Sequence, residues 1–184
     1  LDRTLLRPRD AIAYINECLA KGIGKCRLAW DDIHDAEHEY AVKRLLALRD
    51  EWKPTFPGID RVFQEFRGAP ERMSASALSQ VLDNIMLLPA DPTFDGVSWL
   101  TDLSARMWSP REATWYELYE PLVSLLYAVG FLGCAVGDTT YYQPDQAHFT
   151  ESATNIEKVD AYSIHSAYRT ALAVQPESWS SRRS

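Results

Sequence analysis

The spacing of the apolar residues changes at Gly130, and that change limits the possible folds more than any other feature of the chain. Upstream, Trp115, Leu118, Tyr119, Leu122, Leu125, Leu126 and Val129 fill a wide face at helical spacing, from a start at Ser109 or Pro110. Downstream, residues 131–136 and 139–142 are short and β-prone, and Gly137-Asp138 between them suits a tight hairpin. A chain that does both must lay a helix against a small antiparallel sheet.

Elsewhere the pattern is helical. Ile12, Ile15 and Leu19 mark a helix over residues 8–20, with Pro8 fit for its first position and Gly22 and Gly24 beyond its end. Ile33, Ala36, Tyr40, Leu45 and Leu48 mark a second over residues 31–52, stopped by Pro54 and Pro57. Shorter helices are expected over residues 59–66, 75–88 and 97–107. A returning strand is expected around Val159, Tyr162 and Ile164, and a last helix over residues 165–172. The fold class is therefore α+β and mostly α, with a small antiparallel sheet late in the chain.

The 184 residues are 46% hydrophobic, enough for one sizeable core or two small ones. Nineteen basic against 26 acidic residues give a net charge of −7, which argues against a general phosphate-backbone or anionic-lipid binder. No apolar run approaches the roughly 18 to 20 residues that span a bilayer, so no membrane partner is expected and a cytoplasmic location is. Cys18, Cys26 and Cys134 match no zinc or disulfide spacing and read as buried free thiols. Leu1 in place of Met, before an Arg-rich and apolar opening, suggests a piece of a longer protein.

Candidate chemistry is sparse. His34, Glu37 and His38 follow the H-x-x-E-H order of one zinc-hydrolase class, with two imidazoles a helical turn apart. The competing reading is an acid-rich helix start, since Asp31, Asp32, Asp35 and Glu39 crowd the same turns and are favoured there by the helix dipole. Gly22-Ile23-Gly24-Lys25 lacks the phosphate-loop spacing, and no nucleophile elbow occurs. No catalytic residue is nominated. His148 falls in a polar stretch, and His165, at the start of the last helix, suits a capping or partly buried role.

The other distinctive feature is basic: Arg3, Arg7 and Arg9 stand before and within the first helical turn, where cations oppose the dipole. Either they pair with local acids such as Asp2 and Asp10, or they face an anionic ligand held by a preceding region.

Two runs carry a family resemblance. Residues 5–16 (LLRPRDAIAYIN), then residues 28–33 (LAWDDI) and 36–40 (AEHEY), resemble the region after the nucleotide-binding core in bacterial P-loop ATPases of the AAA+/STAND and KAP-like kind. In those proteins an R-P-R-D helix start belongs to the helical lid, and its arginine can sense the nucleotide phosphates. Residues 126–133 (LYAVGFLG) and 162–169 (YSIHSAYR) are similar to the end of the C-terminal winged-helix module of the same proteins. The capping Thr or Ser of that pattern is Ala29 in this chain, and the wing segment 137–158 is long and polar.

The resemblance implies a lid-like segment over residues 1–55 and a winged-helix-like domain over 56–174, and residues 175–184 themselves read as a disordered tail. It implies nucleotide-phosphate sensing by Arg7 or Arg9, with ATP and Mg bound by the parent protein and no cofactor held by this part alone. Its partners would be the ATPase core of the parent chain and a further protein or a second copy. DNA binding, the usual work of a winged helix, meets opposing charge. Residues 110–184 hold five basic and nine acidic residues, and residues 137–158 four acids and one lysine. The expected function is regulatory and non-catalytic, with DNA binding and the zinc hydrolase as alternatives.

Overall fold

A computed structural model describes residues 8–94, 98–107, 115–142 and 159–176. Seven helices run in the order α1 (Pro8–Lys21), α2 (Trp30–Trp52), α3 (Ile59–Gln64), α4 (Ala75–Leu87), α5 (Ser98–Met107), α6 (Trp115–Ala128) and α7 (Ser166–Arg169) among these residues. Four strands, β1 (Arg72–Met73), β2 (Leu132–Val136), β3 (Thr139–Tyr141) and β4 (Ala161–Ile164), form one antiparallel sheet in the order β1-β4-β2-β3. The fold is α+β and mostly α, as the patterning predicts. Among the described residues no helix is long and apolar enough to cross a membrane.

The change of period at Gly130 has a local mechanism. Gly130 sits at φ 75°, its N–H bonds Tyr127 O, and the Phe131 N–H bonds Leu126 O. This paired closure of a helix by a left-handed residue turns the chain directly into β2. At Gly137 φ is 59°, so glycine takes the first corner of the β2–β3 turn, as in a type II′ hairpin. The Asp160 carboxylate accepts the Gly137 N–H at 2.7 Å and fixes that turn to the approach of β4.

One apolar core joins these parts. The Phe131 ring stacks on Phe63 at 4.5 Å and on Tyr168 at 5.9 Å, and Phe66 meets it edge-on at 5.1 Å. Around it α4 buries Leu78, Leu82 and Ile85, and α6 buries Tyr119, Leu122, Leu126 and Val129. From α2 come Tyr40, Ala41, Leu45 and Leu48. Trp99 is held at the edge by its indole N–H, which donates to Pro57 O at 2.9 Å, and by Phe56 across 5.4 Å.

Three local expectations are corrected. β1 is too short to show a period, and its pairing with β4 makes a sheet of four strands where the sequence predicts three. Gln175, assigned to the tail, bridges Pro70, donates to Ala69 O and accepts from the Glu71 N–H; the tail from residue 177 lies outside the described residues. Of the three thiols only Cys134 is buried, which pushes its pKa up to about 12, while Cys18 is half-buried and Cys26 is exposed.

Candidate functional site

The two N-terminal helices form an antiparallel hairpin held by charge. Lys21 bonds Glu39 at 2.6 Å, Lys43 bonds Glu17 at 2.7 Å, and Arg44 lies 3.2 Å from Asp10. Ala13 and Tyr14 fill the gaps on the same face, with Tyr14 edge-on to Tyr40 at 5.5 Å. In the connection Lys25 pairs with Asp32, whose second oxygen accepts the Ala29 N–H at 2.9 Å. Those two donors, the Lys25 ammonium first, hold the Asp32 carboxyl below the ordinary carboxylate range. Asp32 thus ties down the helix start that Ala29 has no side chain to cap.

Asp10 and Arg44 differ from the outer pairs by burial. Asp10 is closed off, and its Oδ2, like Arg44 Nε, has no hydrogen-bond partner among the described residues. The Arg44 charge acts on the buried His165 and Tyr168, so the pair influences the start of α7, which packs against α2. His165 caps α7, its Nδ1 accepting the Ala167 N–H at 3.2 Å, and its ring lies 4.5 Å from that of Tyr142. Burial, aided by the nearby Arg169 and Arg44 cations, lowers its pKa to about 4. The imidazole is therefore neutral and works as a buried cap, as its sequence position predicts.

Beside this junction a groove of about 190 Å³ is lined by His34, Glu37, Glu71, Arg169, Thr170 and Val174. Arg169 is already committed: it pairs with Glu71 and donates through Nε to Ile164 O at 2.8 Å. The groove thus offers a neutralised cation, carboxylates and a hydroxyl.

The residues singled out from sequence separate. Arg7, Arg3, Asp2 and His148 lie outside the described residues. Arg9 is exposed on the first turn of α1. Asp10, in one of the two readings a partner for the neighbouring arginines, turns inward to Arg44 on the next helix. His34 and Glu37 line the groove, but His38 Nδ1 lies 3.2 Å from Thr170 O, and the His34 ring packs against Trp30 at 5.2 Å. Among the described residues no group of three or more His, Cys, Asp or Glu is placed to hold a metal ion. Arg44 was missed, as were the pairings of Asp10 with Arg44 and of Arg169 with Glu71. Their signals are an acid at the third position of α1 and arginines on α2 and α7, which only tertiary structure connects.

Residues 1–49, ending just short of the end of α2, match the model of a family described as the FunZ-associated C-terminal helical domain. Neither the comparison with curated proteins nor that with solved structures finds a match.

Proposed function

We propose that this chain is the C-terminal regulatory and interaction region of a P-loop ATPase, in which the α1–α2 hairpin follows nucleotide state and passes it to a protein partner or effector. The observation that carries the reading is the buried Asp10–Arg44 pair: it couples the first turn of α1, where Arg9 is exposed, to the junction with α7 and the sheet. A displacement at the helix start would then be felt at the sheet rather than absorbed in a loose linker. The match of the hairpin to a C-terminal helical domain supports its accessory character.

In this reading Arg9 or Arg7 senses the nucleotide phosphates, and ATP and Mg are bound by the ATPase core of the parent chain. The part from α3 to α7, with α6 running into the β2–β3 hairpin, serves as a winged-helix-like interaction module. Protein is favoured over DNA as its partner, because α6 carries Glu117 and Glu120 and no basic residue. His38 is engaged near Thr170 O and the His34 ring packs on Trp30, so neither imidazole lends the zinc-hydrolase alternative support.

The test is ATP-dependent switching in the full-length protein. Arg7→Ala and Arg9→Ala should each impair it while leaving the thermal melt of the region unchanged; normal switching in both variants removes the sensor assignment.

A further inference from the structure

Helix α1 is folded inside out for a helix of a solitary domain. After the exposed Arg9, its charged residues Asp10, Glu17 and Lys21 all turn to α2, while Ile12, Ile15 and Leu19 are 59, 51 and 61% exposed, continued past the helix end by Ile23 at 82%. Isolated exposed apolar side chains are ordinary, but a continuous stripe opposite an ion-paired face marks a surface that something covers. The periodicity that identifies α1 as a helix is therefore the signature of its outer face.

We infer that this face pairs with the same face of a second copy of the chain, as two antiparallel α1 helices about a two-fold axis. Polarity selects this occupant. Between Asp10 and Ile23 every charged side chain is already paired with α2, so the outer face gives a charged partner nothing to neutralise. An apolar surface like itself fits. In the antiparallel register Ile12 lies opposite Leu19, Ile15 meets its counterpart near the axis, and the exposed Asn16 amides can donate and accept across it. A parallel pair would instead bring the two Arg9 side chains together, whereas the antiparallel one separates them by about 20 Å of helix. The four apolar side chains offer about 500 Å² per copy, so a pair reaches the roughly 1,000 Å² that a specific interface needs. This inference stands apart from the ATPase reading and does not depend on it.

The experiment is size-exclusion chromatography with multi-angle light scattering on the purified chain from low to high micromolar concentration. The expected result is a mass approaching two copies as concentration rises. Ile15→Lys should return the mass of one copy throughout, with helical circular dichroism and melting temperature retained; Leu19→Glu should do the same and serves if the first variant melts early. A one-copy mass for the unsubstituted chain at every concentration overturns the inference. So does a two-copy mass that survives both substitutions, or association that continues beyond two copies.

Discussion

Arg44 Nη1 of α2 stands 3.2 Å from the carboxylate of Asp10 in the first turn of α1, and Asp10 is 1% exposed. Each group would be costly to bury alone, so the pair acts as a latch that is strong against losing one half and weak against losing both. Asp10→Ala is expected to lower unfolding free energy by about 3 kcal/mol, and Arg44→Met by a similar amount, because each leaves a desolvated charge behind. The double substitution should cost less than the sum of the two. Urea unfolding of the three variants measures this; additive losses would mean that the two residues do not interact energetically.

His165 gives the protein a pH dependence of its own. Its pKa is about 4 in the folded chain against an ordinary value of 6.5, so between these values the unfolded chain binds the extra proton. Stability therefore rises with pH through this window, is fully present above 6.5, and falls on acidification with a slope of up to about 1.4 kcal/mol per pH unit. Asn at this position keeps a side-chain acceptor for the Ala167 N–H but cannot titrate. Urea midpoints between pH 5 and 6.5 should slope in the unsubstituted protein and lie nearly flat in His165→Asn. Equal slopes would remove the assignment.

Gly133 is required by contact rather than by backbone angle. The ring of Tyr142 lies where a Cβ on residue 133, the second residue of β2, would stand. Gly133→Ala is expected to cost about 2 kcal/mol by forcing that ring away, which also disturbs the Tyr142 hydroxyl beside Ile164 O and Arg169. In a Tyr142→Ala background the same change should cost much less. Thermal melts of the four chains test the pairing, and an undiminished loss in that background would sink it.

The helices were legible because burial leaves a period. In α2 and α4 the residues spaced for a core, Tyr40, Leu45, Leu48, Leu78, Leu82 and Ile85, are the ones buried. The period of α1 was equally clear but says nothing about which side faces inward, and there ion pairs and Tyr14 choose the docking face against the apolar stripe. β1 escaped because two residues cannot show alternation, and its partner strand is some 90 residues away. The candidate site was the least legible part. An acid and an arginine 34 positions apart carry no local sign of attraction, and His165 showed its capping position but not the two cations that surround it.

The position of β4 inside the sheet also governs how the protein assembles. β4 lies between β1 and β2 in space but follows both in sequence, so it joins pieces made much earlier in synthesis. Until residues 161–164 emerge, the β2–β3 hairpin has an open and apolar edge, and β1 has no neighbour among the described strands. Pairings of such long sequence separation slow the final step of folding and leave that edge open to other nascent chains meanwhile. A chain that lacks residues 161–164 would thus carry an unpaired β2 edge, which β4 covers like a clasp.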